Sequence, residues 1–77
     1  MIPADILDAL TTREHEMTTL AAQGLSNDQI AERLFLSPLT VKTHVNRAMM
    51  KLAVRDRAQL VVLAYQSGLV RPGERID

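Results

Sequence analysis

Residues 37–52 read SPLTVKTHVNRAMMKL. Ser37-Pro38 is a helix start: a serine hydroxyl caps the free N–H groups of a first turn, and proline stands where no backbone N–H is needed. Val41, Val45, Ala48 and Leu52 follow at i, i+4, i+7 and i+11, a narrow apolar stripe with Met49 at its edge. The stripe fixes which way the helix must face. Each residue advances about 100°, so a stripe centred about 20° from Val41 leaves Asn46, Leu39, Met50, Thr43 and Arg47 at about 140–240°, with Lys42 and Lys51 on the margins. The outward side thus offers a hydroxyl, an amide and a guanidinium between two ammonium groups. Leu39 and Met50 are the apolar exceptions.

The flanking sequence supplies three more helices, each marked by its ends. Thr11-Thr12-Arg13-Glu14 is a capping box ahead of Met17, Leu20 and Ala21, and Gly24 stops that helix. Ser26-Asn27-Asp28-Gln29 is a second box, followed by the apolar face Ile30, Ala31 and Leu34. Asp56 caps a fourth helix, about Arg57 to Ser67, which Gly68 ends. No strand pattern and no internal repeat occurs. The fold class predicted is all-α: a compact four-helix domain containing a helix–turn–helix. The helix–turn–helix is helices two and three, joined by Phe35 to Ser37. Residues 1–9 and 70–77 show no strong pattern and are expected to be linker-like, leaving 10–69 as the domain.

The charge is zero in total but uneven along the chain. Residues 1–36 set two arginines against six carboxylates, and residues 37–57 set Lys42, Arg47, Lys51, Arg55 and Arg57 against Asp56 alone. The basic third is the part that carries the helix quoted above. A solvated helix with ordinary surface charge is the alternative reading, and charge taken alone does not decide between them. The residue types on the outward face are more specific. Lysine and arginine donate to guanine acceptors, asparagine pairs with adenine, and a threonine methyl meets a thymine methyl. Flanking cations and the N–H groups of helix starts suit phosphates.

Other chemistry is poorly provided for. The chain has 77 residues, enough for one small domain, and no cysteine, so neither a disulfide framework nor a thiolate metal site is expected. No apolar run reaches the roughly 18 residues of a membrane span, and MIPADILDAL lacks the basic flank of a signal peptide. No membrane association and a cytoplasmic location are expected. His15 and His44 lie on different helices, Glu14 belongs to its capping box, and no nucleophile–base pair is present. No enzyme activity, cofactor or metal is expected. His44, at the margin of the stripe, is assigned to packing or to a phosphate, and Arg57 to an ion pair or a phosphate. Leu60-Val61-Val62-Leu63-Ala64-Tyr65 is apolar nearly all round, more than one side of a helix can bury, so a partner is expected there. With Val61 and Ala64 inward, Leu63 and Gln66 point outward and Val62 lies at the side. Three function classes fit: a DNA-binding regulator domain, a sigma-like promoter reader working with RNA polymerase, or a protein-interaction module using the fourth helix.

The run LTTREHEMTTLAAQGLSNDQIAERLFLSPLTVKTHVNRAMMKLAVRDR resembles the DNA-binding domain of LuxR/NarL-type (GerE-like) bacterial transcription regulators. The resemblance rests on Leu10-Thr11, Arg13-Glu14, Glu16, Gly24, Ser26-Asn27, Ile30-Ala31 and Leu34. It continues through Ser37, Thr40-Val41-Lys42, His44, Lys51-Leu52, Val54 and Arg57, and covers about Leu10 to Leu69. It implies the effector domain of a transcription regulator, of the two-component response-regulator kind, which binds double-stranded DNA as a homodimer with helix 38–52 in the major groove. On that basis Lys42, Thr43, Asn46 and Arg47 are expected to read bases. Ser26, Asn27, Thr40, His44 and Lys51 are expected to meet phosphates. Val62, Leu63 and Gln66 of the fourth helix are expected at the dimer contact, with RNA polymerase a further partner. A receiver or ligand-binding domain often precedes this domain, so the chain is expected to be an excised domain or a single-domain regulator. Two residues depart from the family pattern. Ala53 stands where glycine is usual, so that corner is expected to close differently. Thr18 stands where leucine is usual, so the first helix is expected to pack more weakly.

Overall fold

Thr11 begins the first α-helix through both halves of its capping box. Its hydroxyl accepts from the Glu14 N–H at 3.1 Å, and its own N–H donates to Glu14 Oε1 at 2.9 Å. The computed structural model describes residues 4–71 and 73. Over them the order is a 3-10 helix, Ala4–Ala9, then α1 (Thr12–Ala22), α2 (Asn27–Leu34), α3 (Pro38–Lys51) and α4 (Arg57–Gln66). All four α-helices start at the expected caps: Thr11, Ser26, Ser37 and Asp56 each accept a backbone N–H on the side chain. Among the described residues no strand occurs, and no helix is long and apolar enough to cross a membrane.

α1 lies against both α3 and α4, and α2 packs on α3. The main core joins Met17, Leu20 and Ala21 of α1 to Ile30 and Ala31 of α2, Val41 and Val45 of α3, and Leu60 and Leu63 of α4. So α3 is held from behind by two elements at once, which is what keeps its outer face fixed. Thr18 is fully buried, and its hydroxyl has no hydrogen-bond partner among the described residues. A buried hydroxyl without a partner costs about 1–3 kcal/mol. Thr18→Val keeps the shape and removes the orphan group, so it is expected to raise the unfolding free energy by about 1 kcal/mol in a urea titration.

Two corners rest on left-handed residues that are not glycine. Phe35, at φ 58°, ends α2 and is 94% exposed, and the next N–H, from Leu36, returns to the Ala31 carbonyl at 2.9 Å. Ala53, at φ 57°, follows α3. Its N–H donates to the Met50 carbonyl at 3.2 Å, and the Val54 N–H to the Met49 carbonyl at 3.0 Å. The expected change of closure at Ala53 is therefore corrected: alanine takes the left-handed conformation and the strain with it. Relief of about 1–2 kcal/mol, less the extra freedom glycine gives the unfolded chain, leaves Ala53→Gly more stable by about 0.5 kcal/mol. Its urea midpoint is expected above that of the parent.

Both ends depart from the linker reading. Ile6, Leu7 and Leu10 pack against the main core, which draws Ala4–Ala9 into the 3-10 helix. Three apolar groups over so short a stretch give no recognisable period. At the other end Val70 is buried in a second small cluster with Ala22 and Ala64, and its N–H donates to the Ala64 carbonyl at 3.2 Å. The expectations for residues 1–3, 72 and 74–77 lie outside the described residues.

Candidate nucleic-acid interface

α3 is set by its cap and its stripe. Ser37 Oγ accepts from the Thr40 N–H at 3.1 Å and lies 2.8 Å from the Thr40 hydroxyl. Val41, Val45 and Ala48 are buried, and Leu52 follows them as the buried C-cap. Lys42, Thr43, Asn46 and Arg47 are all exposed, as the angular count requires. Leu39 and Met50 share that exposure, at 72% and 79%. Lys42 and Arg47 have no hydrogen-bond or ion-pair partner among the described residues. The four residues expected to read bases thus lie along one open face, with two cations unengaged.

The residues expected at phosphates are less uniform. Thr40 is half-buried and tied to Ser37. His44 is half-buried with Nδ1 enclosed and unbonded among the described residues, leaving Nε2 as the atom for a phosphate contact. Ser26 already uses its hydroxyl and N–H on Gln29, in the second capping box, at 3.2 and 2.8 Å. Asn27 Oδ1 accepts from Arg57 Nη1 at 2.6 Å, and Arg57 also donates to the Leu25 carbonyl. Arg57 is therefore a clamp between the starts of α4 and α2, not an ion pair, and Asn27 keeps only its amide hydrogens for an anion.

Lys51, expected at a phosphate, is engaged within the chain. Its ammonium donates to Glu14 Oε1 at 2.6 Å, joining the end of α3 to the start of α1. Glu14 is almost completely buried. The Lys51 hydrogen bond, with the Thr11 N–H behind it, holds its carboxyl below the usual carboxylate range against the opposing push of burial. One of the three ammonium N–H groups is thus committed to Glu14. Local pattern gave no warning, because Glu14 satisfied a capping box by itself and its second partner lies 37 residues away.

The fourth helix also corrects one assignment. Leu60, Leu63 and Ala64 form its buried side, and Leu63 is only 5% exposed. Leu63 is a core residue, not the outward-pointing one expected. Val61, expected inward, is half-buried. Val62 and Gln66 are exposed as expected, and Tyr65 stands exposed between them.

A helix–turn–helix whose second helix is braced from behind and shows amide, hydroxyl and cationic groups outward defines a DNA-binding domain of a transcription regulator. The chain belongs to the bacterial regulatory proteins of the luxR family, which match it over residues 8–64. It is 45% identical over 67 residues to the uncharacterized transcriptional regulatory protein YxjL of Bacillus subtilis (strain 168), covering 87% of this chain and 31% of that protein. It is 43% identical over 68 residues to the response regulator protein VraR of Staphylococcus aureus (strain NCTC 8325 / PS 47), covering 88% of this chain and 32% of the relative. The same figures hold for VraR of Staphylococcus epidermidis. The chain spans about a third of the length of these relatives.

Proposed function

We propose that this domain lays α3 in the major groove of double-stranded DNA and recognises a specific sequence there, as the DNA-binding output of a cytoplasmic response regulator. One observation carries this reading. The buried row Val41, Val45 and Ala48 turns Lys42, Thr43, Asn46 and Arg47 outward together, on the helix that follows the turn. The phosphate contacts in this reading come from Thr40, His44 Nε2, the Asn27 amide, Ser26 and the N–H groups at the starts of α2 and α3. The likeness to VraR supports the response-regulator assignment, and the upstream part that controls such a protein belongs to the same proposal.

The domain works as a homodimer through α4 in this reading. Val62, Tyr65 and Gln66 fall at i, i+3 and i+4 on its exposed side, and Tyr65 takes the place first given to Leu63. Selection from random duplex DNA tests both parts. The expected product is a palindrome whose half-sites lie about one helical turn apart, occupied by two copies of the domain. An enriched site that holds a single copy overturns the dimer, and failure to enrich any sequence overturns the reading of DNA.

A further inference from the structure

The outward face of α3 is less polar than its residue names suggest. The Thr43 hydroxyl donates to the Leu39 carbonyl, one turn back, at 3.0 Å. That bond occupies the hydroxyl within the helix and leaves the γ-methyl as the part of the side chain free for a ligand. Leu39 stands just ahead of it, 72% exposed in the first turn of α3. A single exposed leucine is ordinary on a protein surface. This one differs in its setting: it belongs to the first turn of the second helix of a helix–turn–helix, the part that reaches base edges, and the unengaged cations Lys42 and Arg47 share its helix. An apolar group among cations is poorly matched to an apolar protein surface. A DNA duplex offers phosphates for the cations and one apolar group in the major groove, the thymine C5-methyl.

Spacing agrees with that ligand. Leu39 and Thr43 are four residues apart, about 6 Å along the helix axis, and a base step is about 3.4 Å. Two methyl groups about two steps apart fall within reach of the pair. Met50 lies about 16 Å along the axis from Leu39, too far along the helix to join them. We propose that Leu39 and Thr43 read thymine by its methyl group, at two nearby positions of each half-site. This rests on the docking of α3 proposed above.

Replacing thymidine by deoxyuridine removes the methyl and leaves every base-pairing and groove hydrogen-bond group in place. The test is a scan of the selected site, one thymidine at a time, read by equilibrium binding of the whole chain. Two positions per half-site are expected to lose about fourfold in affinity, the value of one buried methyl. Leu39→Ala is expected to abolish the loss at one position. Thr43→Ser is expected to abolish it at the other, whereas Thr43→Val, which keeps the methyl and discards the hydroxyl, preserves it. Affinity indifferent to uracil throughout a well-bound site overturns the methyl reading and leaves the docking of α3 standing. A Leu39→Ala domain with unchanged affinity and unchanged uracil sensitivity also overturns it. Enrichment of no site at all overturns the docking itself and this inference with it.

Discussion

Lys51→Met is expected to lower the unfolding free energy at neutral pH by about 2 kcal/mol, more than an exposed lysine ordinarily contributes. The reason is its partner. The Lys51 side chain is 38% exposed, but that of Glu14 is only 3% exposed, and removing the ammonium leaves a buried carboxylate with Thr11 as its remaining partner. Breaking a fully buried pair costs about 3–5 kcal/mol, and a solvated one about 0–1; the screening that water gives Lys51 sets this pair between them. The capping box does not require the charge, because the same protein builds its second box with Gln29 in the equivalent place. Glu14→Gln in the Lys51→Met background is therefore expected to recover part of the loss.

The pair also sets a dependence on pH. The Glu14 carboxyl is held below its ordinary range in the folded chain. Its contribution is therefore fully present above the unfolded value of about 4.3 and is lost as pH falls through the lower folded value. Between neutral pH and pH 3 the parent is expected to lose more stability than Lys51→Met, so the two urea curves converge in acid. Curves that stay parallel would show that the carboxylate gains nothing from the lysine. On DNA, Lys51→Met is expected to leave the salt slope of affinity unchanged.

What could be read along the chain and what could not are divided by the range of the interaction. The caps of all four helices are local, spanning three residues, and each is written in a few adjacent letters such as Thr11-Thr12-Arg13-Glu14. The orientation of α3 is likewise local, because Val41, Val45 and Ala48 make a stripe with Lys42, Thr43, Asn46 and Arg47 on the other side. α4 has no such contrast. Leu60 to Tyr65 is apolar at each position, so its phase could be set only by contact, and α1 and the core chose Leu60, Leu63 and Ala64. That is why Leu63, expected to point outward, is buried, whereas Val62 and Gln66 are exposed. The Lys51–Glu14 pair and the Arg57–Asn27 clamp join residues 37 and 30 positions apart, and no period records such a meeting. Ala53 shows the reverse case: the letter pointed away from a left-handed corner, and the backbone bonds around Met49 and Met50 imposed one.

Asn46→Ala is expected to weaken binding to the preferred site by about 1–3 kcal/mol and to flatten base preference at one position of each half-site. Asn46 is exposed on α3, away from the buried row, and its side chain makes no hydrogen bond within the chain among the described residues. Both its amide groups are thus available for the paired donor and acceptor of adenine. Removal of an exposed, unbonded side chain spares the fold, so the urea midpoint is expected to change little and the loss falls on recognition. Lys42→Ala separates position from charge. If Lys42 donates to guanine, it relaxes preference at one base pair; if it meets only a phosphate, it weakens all sequences alike and reduces the salt slope by about 1. Competition binding against every single-base variant of the site resolves the two. Full affinity and unchanged preference in both variants would mean that α3 turns another face to the DNA. Lys42 and Asn46 would then lie off the contact, and any reading by α3 would fall to Leu39, Thr43 and Arg47, which are also exposed.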